Sequence, residues 1–158
     1  MKTKLFALLL ALAMLTAILP MAAVAEADRP TLTYWCLFEN NASKSVDNYA
    51  DLPMYQELMN RLNTNIVFTH PPTGMDKEQF SLLIASSSLP DIIEYDWYSR
   101  YPEGPQAAID DGVIISLNEY LENGSLPNLA KVFENDPELA ATCRTYEGDY
   151  YVFPFIRS

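Results

Sequence analysis

Phe80-Ser-Leu-Leu-Ile-Ala-Ser-Ser-Ser-Leu-Pro-Asp-Ile-Ile-Glu-Tyr-Asp-Trp97 changes from helical to strand patterning within a few residues. Phe80, Leu83 and Ile84 stand at i, i+3 and i+4, one face of a helix. The hydroxyls of Ser86 to Ser88 compete for backbone hydrogen bonds and favour a turn. Pro90 has no N–H to donate and pushes Leu89 out of the α region, so Asp91-Ile-Ile-Glu-Tyr95 begins a new, extended segment. A strand entered from a helix in this way is half of a crossover unit. In open α/β sheets ligands sit beyond the carboxyl ends of the strands, which draws attention to Asp96, Trp97 and Tyr98.

The residues before this stretch repeat the pattern. Thr31-Leu-Thr-Tyr-Trp-Cys-Leu37 has the near-continuous hydrophobicity of a strand buried on both faces, and the polar loop Phe38-Glu-Asn-Asn-Ala42 follows it. Pro53 suits the first helical position, with Asp51 or Leu52 near the cap, and Tyr55, Leu58, Met59 and Leu62 form the expected buried stripe. Asn63-Thr-Asn65 ends that helix, Ile66-Val-Phe-Thr69 is a second strand, and a helix starts near Asp76. Strand, helix, strand, helix, strand at this spacing predicts a doubly wound α/β fold, a mainly parallel sheet flanked by helices. Farther on, short helices are expected over Gln106–Asp111, capped by Gly112, over Leu117–Leu121, and over Leu129–Thr142 with a break at Asp136-Pro137. Gly148 turns the chain into Tyr150-Tyr-Val-Phe-Pro154, predicting a hairpin. A strand so near Ser158 with no helix to cover it is the pattern expected of a piece of a longer protein.

Lys2 and Lys4 precede the apolar run Leu5 to Leu19, and small residues precede Glu26 and Asp28. This is the pattern of a secretory signal over residues 1–27, cleaved after Ala25 or Ala27. The apolar run falls short of the ~20 residues of a spanning helix. A formal charge of −11 disfavours nucleic acid and anionic membrane surfaces, which need clustered Lys and Arg. Cys36 and Cys143 would meet an oxidising compartment, where either a disulfide or two separate buried thiols fits the sequence. With His70 the only histidine and no C-x-x-C, zinc is not expected.

No G-x-S-x-G, phosphate-cradling glycine loop or distinctive carboxylate pair is present, so no catalytic residue is assigned. Aromatic and polar residues instead gather at strand ends. Flat rings beside carboxylates and amides suit sugars, whose C–H faces stack while hydroxyls take hydrogen bonds. The candidate ligand-binding residues are Glu39, Asn40, Asp96, Trp97 and Tyr98. Tyr34, Trp35 and Tyr95 belong rather to the core, and Trp97 fits either role.

The order Thr31-Leu-Thr-Tyr-Trp35, Leu52-Pro-Met-Tyr-Gln-Glu-Leu58 with Leu62-Asn-Thr-Asn65, and Phe80 through Leu89-Pro-Asp-Ile-Ile93 resembles the N-terminal part of extracellular solute-binding proteins of bacterial ABC importers, in the family 1, sugar-type branch. Ala108-Ile-Asp-Asp-Gly-Val-Ile-Ile-Ser-Leu-Asn118 and Tyr146-Glu-Gly-Asp-Tyr-Tyr-Val-Phe-Pro154 agree with it in order. The resemblance implies a periplasmic-binding-protein-like lobe over 28–158, with the second lobe missing. It implies an extracytoplasmic, non-enzymatic monomer that captures a carbohydrate and delivers it to an ABC permease, with no cofactor; no stretch carries the acidic calcium loop that some relatives possess, so no metal is expected. A peptide or other small solute, a secreted enzyme whose catalytic residues lie beyond Ser158, and a short decoy or interaction module are the competing readings.

Overall fold

The computed structural model describes residues 29–156; the expected signal over 1–27 lies outside them. Strand β1 (Thr31–Cys36) is central, with β2 (Asn65–Thr69) on one side and β3 (Ile92–Glu94) on the other, both parallel to it. Helix α1 (Pro53–Leu62) joins β1 to β2, and α2 (Asp76–Ala85) carries the chain from β2 back across β1 to β3. Reversal of direction at β1 puts the two helices on opposite faces of the sheet, because each crossover is right-handed.

Alternation along β1 separates the faces. Cys36, with Ile66 and Phe68 of β2, packs against Tyr34, Tyr55 and Met59 on the α1 side. Trp35 packs with Phe80 of α2, flanked by Leu83, Ile84, Ile93 and Tyr95, on the other. The sheet is thus doubly wound, as the sequence pattern predicts. Pro53 opens α1 at its first turn, and Asn63 closes it in the left-handed region at φ 48°. The buried stripe of α1 is narrower than expected. Tyr55 and Met59 pack inward while Leu58 and Leu62 stay exposed, since β2 is an edge strand and offers the helix little sheet to cover.

The serine run ends α2 as its chemistry dictates. Ser86 Oγ donates to the Leu83 carbonyl at 2.7 Å, the Ser88 N–H donates back to Ser86 Oγ at 3.1 Å, and Ser87 turns left-handed at φ 54°. The chain then enters β3 through a side-chain clasp. Asp91 accepts from both the N–H and the hydroxyl of Thr33, each at 2.7 Å, and its own N–H donates to Thr33 Oγ1 at 2.9 Å. This clasp continues the β1–β3 pairing one residue before the first paired positions, Tyr34 and Ile92.

After β3 come α3 (Trp97–Arg100), α4 (Pro105–Asp110), α5 (Asn118–Glu122), α6 (Pro127–Asn135) and α7 (Pro137–Thr142). The expected break at Asp136-Pro137 separates α6 from α7, with the Asp136 carboxylate capping α7 through the Leu139 N–H at 2.9 Å. Leu117, Leu129, Phe133, Ala140 and Cys143 form a separate core between these helices. Cys36 and Cys143 are free and buried in different clusters, which accords with the two-thiol alternative. The predicted hairpin is corrected to a turn with a single antiparallel bridge, Arg144 to Tyr150. Helix α7 runs to Thr142 and leaves too little extended chain for a partner strand. Tyr150 and Val152 pack into the helical cluster, whereas Tyr151 packs into the cluster around Trp35.

Candidate functional site

The order β2-β1-β3 reverses direction between β1 and β3, and at such a switch point two loops leave neighbouring strands on opposite courses and open a crevice. Cys36 pairs with Glu94 at the ends of these strands, so the loop bearing Glu39 and Asn40 and the segment Asp96–Tyr98 leave from one sheet edge. Both Glu39 and Asn40 are exposed. Their loop is folded tightly: the Glu39 carbonyl accepts from the N–H groups of Ala42 at 2.9 Å and Ser43 at 3.1 Å, and the Glu39 N–H donates to the Tyr49 hydroxyl at 3.0 Å.

His70, just past the end of β2, holds this loop against that strand. Its ring stacks on Phe38 at 4.6 Å. Nδ1 lies 3.0 Å from the Cys36 carbonyl, which can only accept, while Nε2 takes the Tyr49 N–H at 3.3 Å. These two contacts match the tautomer that donates from Nδ1 and accepts at Nε2. A lone histidine carries no motif, and its role rests on contacts between residues far apart in sequence.

On the β3 side the predicted residues divide. Asp96 caps α3, accepting from the Ser99 N–H at 3.1 Å and from the Ser99 hydroxyl. These bonds, the hydroxyl first, hold its carboxyl below the usual carboxylate range. Tyr98 is 78% exposed. Trp97 is 4% exposed, its ring packed near Phe80 at 5.5 Å and Tyr101 at 6.0 Å. Of the two roles open to Trp97, the structure places the ring in the core, and no indole face is available for stacking. Successive side chains on a helix are about 100° apart, so with Trp97 buried the ring of Tyr98 lies off the core-facing side and is exposed.

Tyr98 lines an open cleft of about 480 Å³ together with Tyr101, Glu103, Gln106, Arg144 and Tyr146. Its floor is held by a polar network. Buried Gln106 accepts from the Thr145 hydroxyl at 2.5 Å and donates to Asp110 at 3.1 Å and Asp149 at 3.4 Å. Asp149 also accepts from Ser116 Oγ at 2.6 Å and Asn118 Nδ2 at 3.2 Å, joining α4, the 116–118 segment and the turn at Gly148. The Tyr101 hydroxyl donates to Asp111 at 2.8 Å; burial, then this carboxylate, pushes its pKa up to about 12. The sequence did not single out Glu103, Arg144 or Tyr146, which border this cleft. The available signal was the aromatic Tyr146 beside the glycine turn, read there as hairpin chemistry.

No family profile matches the chain, and no curated protein matches it. Among solved structures it is similar to the ABC-transporter substrate-binding protein FusA of S. pneumoniae, in complex with kestose and, as an EF-hand mutant, with fructo-nystose. Each comparison gives 26% sequence identity and a TM-score of 0.67 over 81% of this chain. The chain spans about 25% of the length of those proteins. In fold and in sequence, the described lobe is similar to part of an ABC-transporter substrate-binding protein.

Proposed function

We propose that this chain is the N-terminal lobe, over 28–158, of a family 1 solute-binding protein that captures a carbohydrate outside the cytoplasm and hands it to an ABC permease. The observation that carries this reading is the similarity, over 81% of the chain, to substrate-binding proteins holding kestose and fructo-nystose. The crevice at the β1–β3 switch supplies chemistry of the required kind. Glu39, Asn40 and Asp96 offer acceptors and an amide for sugar hydroxyls, and Tyr98 offers an exposed ring. Trp97 acts from below by fixing the turn that presents Tyr98. The rest of the protein provides the opposing wall, and closure over the solute draws on contacts made only in the closed state. Residues 1–27 direct export and are removed.

Isothermal titration calorimetry on the full-length protein tests this reading with saccharide series of increasing length and with short peptides. We expect saturable binding of a saccharide, recovered unchanged by chromatography, and a loss of affinity of at least about tenfold in Glu39→Ala, equivalent to one charge-assisted hydrogen bond. Binding of peptides alone, or conversion of the sugar, overturns it.

A further inference from the structure

We propose that the cleft between Tyr98 and Tyr146 is a second sugar subsite, so that the protein selects oligosaccharides and Tyr146 reads their length. This rests on the carbohydrate reading above and adds to it a site outside the sheet-edge crevice. Tyr146 is 83% exposed and Tyr98 78%, and both line the same cleft. Large uncovered rings flanking one concavity offer stacking surface on two sides of a bound ring. Its volume of about 480 Å³ falls within the ~300–1,000 Å³ of small-molecule sites.

The polar groups of the cleft are set before any ligand arrives. Arg144 Nε donates to the Gly148 carbonyl at 3.2 Å, and its guanidinium lies 4.9 Å from the centre of the Tyr150 ring, which stacks on Phe133 at 4.7 Å. Gly148 is required here. Its φ of +100° suits glycine, and a Cβ would come within 3.2 Å of the guanidinium. Glu103 holds a left-handed conformation at φ 62° immediately before Gly104 at φ 86°, a strained placement that keeps a carboxylate on the rim. A cation and an anion bordering one cleft suit a ligand without net charge, and a polyhydroxyl ligand can donate to Glu103 and accept from Arg144. A singly charged ligand would be repelled by one of them. Tyr98 belongs both to this cleft and to the segment that ends the sheet-edge crevice, so one chain of sugar rings can occupy both.

The test is calorimetry on full-length wild type, Tyr146→Ala and Tyr146→Phe, with sucrose, kestose and nystose and with malto- and xylo-oligosaccharides of matching lengths. We expect wild-type affinity to rise with length in the series that binds. Tyr146→Ala should lose about tenfold for the longest member while the shortest changes by less than about twofold, and Tyr146→Phe should retain the length preference. Equal affinity loss at every length, or none at any, overturns the subsite and leaves the carbohydrate reading standing. If wild type binds no saccharide of any length, the carbohydrate reading fails and the subsite with it. Because Tyr146 lies on the surface, the melting temperature of the variants should match wild type; a matching loss of stability and of affinity at all lengths would mean that the ring packs against another part of the protein, which also overturns the proposal.

Discussion

Asp149→Ala should loosen the segments that carry both walls of the Tyr146 cleft without unfolding the sheet. The carboxylate accepts from Ser116 Oγ at 2.6 Å and Asn118 Nδ2 at 3.2 Å, and more weakly from Gln106 Nε2 at 3.4 Å. Charge-assisted bonds contribute ~1.5–3 kcal/mol each. The low end applies here, because Gln106 and Asn118 keep a second acceptor and the Ser116 oxygen keeps a donor. Gln106 retains Asp110 at 3.1 Å, Asn118 retains the Gly148 carbonyl at 3.4 Å, and the Ser116 hydroxyl still accepts from the Asn118 N–H at 3.3 Å. Two effective bonds at the low end come to about 3 kcal/mol, or roughly 100-fold in a local opening equilibrium. Native-state hydrogen exchange reads that equilibrium at the amides of Leu117, which donates to the Tyr150 carbonyl at 2.8 Å, and Tyr150, which donates to Asn118 Oδ1 at 2.9 Å. Both should exchange about 100-fold faster in the variant, while the amides of β1 and β2 stay unchanged. Ser116→Ala alone should give a smaller acceleration, and the double variant less than the sum of the two. Acceleration below about threefold at Leu117 and Tyr150, or full additivity in the double variant, would show that the turn is held by packing of Tyr150 on Phe133 and not by the carboxylate.

Trp97→Ala should cost ~3–5 kcal/mol, the usual range for emptying a buried aromatic site, and chemical denaturation checks it; a midpoint equal to wild type would mean that the indole is not part of the core. Asp91 is held below the ordinary carboxylate range, first by the Thr33 N–H and then by its hydroxyl. Its folded pKa lies under the unfolded value of ~3.9, so its stabilisation is complete above that value and is lost as pH falls through the lowered one. Asp91→Asn should therefore destabilise the lobe at neutral pH and flatten the decline of stability below about pH 4; an unchanged acid slope in denaturation measured across that range would remove the clasp from the account.

Local chemistry made much of the lobe legible. Pro53 and Asn63 bound α1, the serines and Pro90 end α2 and start β3, and Asp136-Pro137 splits α6 from α7, because each acts on its own backbone within a few residues. The α/β class and the sheet edge bearing Glu39, Asn40, Asp96 and Tyr98 follow from the alternation of elements, a pattern written along the chain. Which ring of the neighbours Trp97 and Tyr98 would be buried was not written there. Either could close over Phe80, and the pairing of β3 with β1 together with the cap on Asp96 settles the choice. The expected hairpin fails for a related reason. Gly148 specifies a turn, but a ladder needs a second extended segment, and α7 takes those residues into the helical core. His70 meets Cys36 across 34 positions, Asp149 meets Ser116 across 33, and Tyr98 shares its cleft with Tyr146 across 48, and no periodicity in the chain encodes such distances. Steric and hydrogen-bonding preferences of neighbouring residues determine where elements begin and end; packing of side chains remote in sequence determines which faces stay open to a ligand.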